Sequence, residues 1–405
     1  MERLELGTRL PVLSWCPELE PGVLAQARNL ADHPAVFRHV ALMPDAHQGF
    51  GMPIGGVIAC QDAVIPNAVG VDIGCGMAAV RSSLPAEDAQ DKARLRAFIA
   101  TVRGRIPLGE GRARREALPW DGFERWRDSL GTAALPEWHT HHGDELDRLN
   151  LGSLGGGNHF IEAQAGDDGL CWLMLHSGSR NLGYRIAAAY QKIALALDAR
   201  LGFKLPDPEL AWLPLGSAEA DAYLRDMAHA LAYAAENRRV MLVLVEDAFA
   251  KAFPGASFAE EISIHHNYAA QETHFGRAVW VHRKGATAAR AGLKGIIPGS
   301  MGTASYIVEG QGCADSFQSC SHGAGRRMGR NDACRRLSQA DCDRAMAGVV
   351  REDWKPSSVR GPDGRKLPDL SEAPGAYKDI DGVMAAQAEL ARPLVRLRPL
   401  AVLKG

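Results

Sequence analysis

Apolar residues fall into short runs and longer periodic stretches, punctuated throughout by 43 glycines and 22 prolines. The runs Gly55–Cys60, Leu170–Leu175, Arg277–His282 and Leu400–Leu403 are short and rich in apolar residues, a pattern that predicts strands. Helical periodicity covers Glu87–Arg105, Leu182–Leu201 and the alanine-rich Ala218–Phe253, which stops at Pro254. Two Pro-containing stretches, KLPDPELAWLPLGS and WKPSSVRGPDGRKLPDLSEAPGA, read as long surface connections, a kind of segment that often carries function. Neither divides the chain, and no repeat or low-complexity tract suggests a solenoid. Chemistry-bearing motifs run from residue 45 to residue 404, so the expectation is an α+β fold, a single interwoven domain over residues 1–405.

Composition narrows the class. With 405 residues, 46% hydrophobic and 23% charged, the chain has the make-up of a soluble globular protein. Its longest uninterrupted aliphatic run, Val240–Val245, is far short of the ~20 residues that cross a bilayer. The start MERLELGTRL lacks the basic and apolar regions of a signal peptide, so a cytoplasmic protein without membrane contact is expected. Eight cysteines, at 16, 60, 75, 171, 313, 320, 334 and 342, form no C-x-x-C pair and read mostly as reduced core thiols. A net charge of −2 gives no global attraction to nucleic acid, and a polyanion would have to be held by local arginines.

Five polar motifs recur in glycine-rich surroundings: MPDAHQGFGMPIGG, VDIGCG, LGGGNHFIE, LHSGSRNLG and IHHNYA. They offer a carboxylate, a thiolate and three imidazoles in Asp72, Cys75, His159, His176 and His266. That set suits Zn²⁺, Fe²⁺ or Mn²⁺, and a thiolate sulfur has lone pairs enough to bridge two ions. A lone histidine or cysteine is usually a satisfied core residue; here each candidate is flanked by glycine or small polar residues at an expected strand end. The more metal-like HTHH, His139–His142, lacks that setting and reads as a solvated loop.

A second group, IPGSMGTASYIV, SHGAGRRMGR and the terminal VLKG, suits phosphate. Backbone N–H groups in Gly/Ser turns can cradle an anion, the Ser300 and Ser305 hydroxyls add donors, and Arg180, Arg326 and Arg330 can grip phosphates bidentately. PGS and GAG are also tight turns in their own right. No P-loop occurs, GFGMPIGG misses the dinucleotide-binding spacing, and KDIDG, Lys378–Gly382, reads as a surface turn rather than a ligase lysine motif.

Taken together with HRKGAT and APGAYKDI, these motifs follow in order over nearly the whole chain, which resembles the RtcB family of RNA ligases. The resemblance implies that family's α+β fold, with β-sheets surrounded by helices and a central di-metal site. It implies GTP- and Mn²⁺-dependent joining of RNA ends bearing a 3′-phosphate or 2′,3′-cyclic phosphate to 5′-hydroxyl ends, in tRNA splicing or RNA repair. Matching positions would place two Mn²⁺ ions on Asp72, Cys75, His159, His176 and His266, with Cys75 bridging. His322 would become guanylylated, with Asp45 close to the metals. Asn158, Glu162, Ser300, Ser305, Ala324, Gly325, Tyr377 and Lys404 would surround the nucleotide, Glu162 and Lys404 reading the base. Arg180, Arg326 and Arg330 would bind RNA phosphates, and His47, Gln48 and Phe50 carry no assigned role. A monomer is expected, with archease as a candidate activating partner. The rival enzyme reading is a di-metal phosphoesterase or nuclease with no covalent nucleotide. An RNA-binding or chaperone-like protein is disfavoured by 6% aromatic content without a basic-aromatic segment.

Overall fold

Two sheets meet at the residues that carry the candidate chemistry. The computed structural model describes residues 1–129, 143–205 and 207–405. A six-stranded sheet takes the spatial order Glu2–Leu4, Val12–Ser14, Val36–His47, Ile54–Cys60, Arg277–Lys284, Asn267–His274. Its neighbours are antiparallel except Val12–Ser14 against Val36–His47. A seven-stranded antiparallel sheet takes the order Phe258–His265, Gly76–Pro85, Leu170–Ser177, Phe160–Gly166, Ala391–Lys404, Ser305–Gly310, Lys294–Ile297. His266 alone separates the edge strand of one sheet, Phe258–His265, from the edge strand of the other, Asn267–His274.

One face of the larger sheet is covered by helices Lys92–Arg105 and Ala218–Ala252. Val80, Leu173, Leu175 and Leu403 from the strands pack there with Phe98, Val102, Met241, Val245 and Phe249. Each side chain of this kind, fully buried, contributes roughly 1.5–3 kcal/mol. Helix Leu182–Leu201 packs Leu182, Ile186 and Tyr190 against Tyr223, Met227 and Tyr233 of the long helix. A further cluster joins the sheets directly, with Met43, Val57 and Val281 from the first and Ile297, Tyr306 and Val308 from the second. The α+β expectation holds, and among the described residues no helix is long and apolar enough to cross a membrane.

Local chemistry explains where elements start and where expectation failed. Helix Ala218–Ala252 begins where the Ser217 hydroxyl accepts from Ala220 N, and Leu182–Leu201 ends at Gly202 in the left-handed region. The segment expected as a helix from Glu87 is a 3-10 turn at Asp88–Gln90, and the α-helix starts only at Lys92. Asp91 caps it by accepting from Ala93 N and Arg94 N, which requires extended backbone at Asp91 and breaks the run. The expected surface connection KLPDPELAWLPLGS is corrected in part: Leu210, Ala211 and Leu213 are fully buried, and Leu213–Pro214 pairs with Ala63–Val64. The second stretch folds into a hairpin, Pro356–Arg360 with Lys366–Pro368, and then delivers Glu372 into a cavity. All eight cysteines are free thiols, seven of them buried. His139–His142 lies outside the described residues.

Candidate active site

Strand register assembles the histidine–cysteine cluster. Gly76 pairs with both His265 and Ser177, while His176 pairs with both Met77 and Phe160. Cys75, His159 and His266 are each one residue beyond a paired strand end, so all land beside His176. The ladder continues as His266 N donates to Cys75 O at 2.9 Å. Cys75 Sγ lies 3.3 Å from His159 Nε2 and 3.2 Å from His176 Nε2, His176 Nε2 is 3.1 Å from His266 Nε2, and Asp72 Oδ2 is 3.4 Å from His159 Nε2.

The VDIGCG turn needs its glycines. Gly74 has φ +79°, and a Cβ on Gly76 would lie 2.0 Å from Ile264 O in the paired strand. Across the turn, a Cβ on Gly178 would lie 2.3 Å from either Asp72 carboxylate oxygen. The long helix braces these loops from below with two buried polar residues. Arg238 donates to Gly74 O at 2.8 Å and Ser177 O at 3.1 Å; Asn237 accepts from Gly152 N at 2.7 Å and donates to Ser177 Oγ at 3.2 Å.

The donor set fits two divalent ions. Two ligand groups, Asp72–Cys75–His159 and Cys75–His176–His266, share the Cys75 sulfur. His159 Nδ1 donates to Leu154 O at 2.8 Å, which fixes the tautomer and leaves the Nε2 lone pair facing the cluster. Burial holds His176 and His266 well below the usual imidazole range, so both rings are neutral and could donate a lone pair to a cation. Burial and the Asp72 charge raise the Cys75 thiol, which a bound cation would deprotonate. Burial opposes ionisation of Asp72 as well, but His159 and Arg180 outweigh it and hold the carboxyl below its ordinary value.

His322 adjoins this cluster, its ring centroid 4.8 Å from that of His266. Its Nδ1–H donates to Asp45 Oδ2 at 2.6 Å and its backbone N–H to the same oxygen at 3.3 Å. Asp45 is fully buried, so this pair is shielded from water. In the neutral ring, a proton on Nδ1 would leave the Nε2 lone pair free. Gly325 keeps the SHGAG loop against Asp45, since a Cβ there would lie 2.3 Å from Asp45 O.

A cavity of about 150 Å³ opens over His322 and His176. It is lined by Asn158, Glu162, Ser300, Ala324, Gly325, Tyr377 and Lys404, together with Arg326, Arg330 and Glu372. Burial pushes the Glu162 carboxyl up to about 8, against the pull of Lys404 and of Gln164, whose Nε2 donates to Glu162 Oε2 at 2.6 Å. Lys404 Nζ donates to Asn158 O at 3.2 Å and Glu372 Oε2 at 3.1 Å.

The comparisons with known proteins agree with one another. The family model described as tRNA-splicing ligase RtcB matches residues 26–405. The RNA-splicing ligase RtcB of Escherichia coli strain K12 is 40% identical over 412 residues, covering 98% of this chain and 97% of that protein. The chain belongs to the RtcB family. Relatives of the same description include that of Pyrobaculum aerophilum, a tRNA-splicing ligase RtcB 33% identical over 94% of this chain and 91% of its own. The RNA-splicing ligase RtcB of Mycobacterium tuberculosis is 34% identical over 94% of this chain and the whole of its own. An RNA ligase acting on RNA substrates is what this membership supports.

For this RtcB-family chain, the structure brings together most of the residues singled out from the sequence and sets two apart, Ser305 and Arg180. Asp45, expected close to the metals, contacts His322 directly. Ser305 is 1% exposed and holds the loop, accepting from Gly299 N at 3.2 Å and Gln164 Nε2 at 3.1 Å, rather than lining the cavity. Arg180 packs over Gly155 and donates to Ser153 Oγ at 3.2 Å, on the Asp72 side of the cluster. His47 does line the cavity, its Nδ1 bonded to Asp45 O at 2.9 Å, and burial lowers it to about 4. Sequence reasoning missed Glu372, Gln164, Asn237 and Arg238. Only the last two left a trace, as adjacent polar residues on the buried face of an apolar helix.

Proposed function

We propose that the protein joins RNA 3′-phosphate or 2′,3′-cyclic phosphate ends to 5′-hydroxyl ends through a GMP adduct on His322 Nε2, with GTP as nucleotide substrate. The observation that carries this reading is the Asp45–His322 pair, 2.6 Å apart and beside the Cys75–His176–His266 group. A neutral imidazole held by a carboxylate at Nδ1 presents Nε2 as nucleophile. Attack at the α-phosphorus of GTP forms an N–P bond and breaks the α–β P–O bond, releasing pyrophosphate. Where the 3′ end is a cyclic phosphate, water first adds at phosphorus and breaks the P–O2′ bond to leave a 3′-phosphate and a 2′-hydroxyl; an oxygen of the 3′-phosphate then takes the GMP, breaking the N–P bond and freeing His322. The 5′-hydroxyl attacks the activated 3′-phosphorus, loses its proton and expels GMP.

Asp72, Cys75, His159, His176 and His266 would hold two divalent ions, Mn²⁺ by family resemblance. Such ions neutralise the reacting phosphates and stabilise the leaving group. The chain's own residues supply position. Asp45 balances the positive charge that develops on His322 as the N–P bond forms. Glu162 and Lys404 line the side of the cavity where a purine with N–H donors and a carbonyl acceptor would be read. Arg326 and Arg330 bring cations to the RNA phosphates, which reconciles a net charge of −2 with a polyanionic substrate.

Ligation of defined RNA ends tests the reading, with 3′-phosphate, cyclic-phosphate or 3′-hydroxyl donors, 5′-hydroxyl or 5′-phosphate acceptors, GTP or ATP, and Mn²⁺ or Mg²⁺. The expected product requires a phosphorylated 3′ end, a free 5′-hydroxyl and GTP. Release of inorganic phosphate from the 3′ end without joining would instead identify a phosphoesterase.

A further inference from the structure

Glu372 lies in the stretch that the sequence marks as a surface connection, yet its side chain is 11% exposed. Its two oxygens collect four donors. Oε1 accepts from Arg326 Nη1 at 3.0 Å and Arg330 Nε at 3.3 Å; Oε2 accepts from Lys404 Nζ at 3.1 Å and from the Tyr377 hydroxyl. Two of these partners, Tyr377 and Lys404, belong to the nucleotide side of the cavity in the reading above, and two, Arg326 and Arg330, to the RNA side. Three cations around one carboxylate leave two positive charges in excess (3 − 1 = 2), enough to favour phosphate while relieving their mutual repulsion.

The two arginines are held differently. Arg326 is 14% exposed, and its other nitrogens are committed to Met328 O at 3.2 Å and Ser371 O at 2.7 Å. It therefore frames the site. Arg330 is 52% exposed and bonded to Glu372 through Nε, which leaves its outer nitrogens to meet a phosphate. Long cationic side chains held in this way lose less rotamer freedom when they bind.

We propose that Glu372 is a positioning residue that ties the nucleotide pocket to the RNA-phosphate grip, so that GTP and the RNA 3′-phosphate meet one preorganised unit. The inference rests on the reading of the site as a GTP-dependent RNA ligase. A carboxylate that merely occupied the place of a phosphate would have the opposite effect on affinity, because removing it would vacate the anion site.

The test uses the full chain with Glu372→Gln and Glu372→Asp. Two quantities are read: the GTP concentration for half-maximal labelled-GMP adduct, and the Kd of a fluorescent RNA ending in 3′-phosphate against one ending in 3′-hydroxyl. In Glu372→Gln both GTP and 3′-phosphate RNA should weaken by about tenfold, the size of one lost charge-assisted interaction. KM for GTP should move more than kcat, and preference for the 3′-phosphate should narrow. Glu372→Asp, which keeps the charge on a shorter arm, should fall between, and it carries the test if the glutamine variant does not fold. Unchanged constants, tighter binding, or weakening on one side only would overturn the coupling role. Wild-type adduct formed normally beside an unaffected variant sinks this inference alone; wild type forming no adduct sinks the ligase reading as well.

Discussion

Replacing Asp45 by asparagine isolates the electrostatic part of nucleophile activation. Both N–H groups of His322 donate to one carboxylate oxygen, Nδ1 at 2.6 Å and the backbone at 3.3 Å, so the amide oxygen of the substituted side chain takes that place and the imidazole keeps its tautomer. What disappears is the negative charge. A hydrogen bond to a charged group contributes about 1.5–3 kcal/mol. Asp45 is fully buried, so water does not make up the loss as the imidazole becomes cationic. At about 1.4 kcal/mol per decade, guanylylation should slow roughly 10- to 150-fold. The assay is single-turnover formation of labelled GMP–protein, quenched in denaturant and resolved by electrophoresis, with thermal melting to confirm folding. A folded Asp45→Asn protein guanylylated at the wild-type rate would refute the argument that this carboxylate activates His322.

Other consequences follow from the same geometry. Cys75→Ala removes the atom shared by both ligand groups, so bound Mn²⁺ measured by mass spectrometry after dialysis should fall to near zero; undiminished metal content would contradict the bridging role. Gly178→Ala sets a Cβ 2.3 Å from the Asp72 oxygens and should weaken metal binding roughly 10- to 100-fold, with secondary structure retained by circular dichroism. In the proposed base site an ionised carboxylate would accept two guanine N–H groups where the neutral acid accepts one, and burial holds Glu162 up at about 8. As pH falls below 8 a proton must leave on binding, so GTP affinity by calorimetry should weaken by up to about tenfold per unit. A profile that stays steep in Glu162→Gln would assign that dependence to another group.

The candidate donors were legible because the chain writes them in glycine-framed motifs; their convergence was not. Cys75 and His266 are 191 residues apart, and only the pairing of Gly76 with His265 brings them together. Strands Leu170–Ser177 and Arg277–Lys284 declared themselves by apolar content, whereas Phe258–His265 and Asn267–His274, FAEEISIH and NYAAQETH, are edge strands with few fully buried positions. Their polar residues mask the period-two pattern. Val36–His47 was hidden by Pro44, which argues locally against a strand, and the strand is irregular at Arg38, where φ is +67°. Glu372 left no signal at all: one acidic residue in a Pro- and Gly-rich stretch looks like a solvated loop until the fold sets it among Arg326, Arg330 and Lys404.

The claim on which the rest depends is that His322 Nε2 carries the nucleotide. Incubation of the purified protein with labelled GTP and Mn²⁺, followed by proteolysis at alkaline pH and mass spectrometry, locates the adduct directly. The expected result is one GMP per chain on the peptide containing His322, linked through nitrogen and absent from folded His322→Ala. A GMP label on a different residue, or none in a protein that still joins RNA ends, would contradict it.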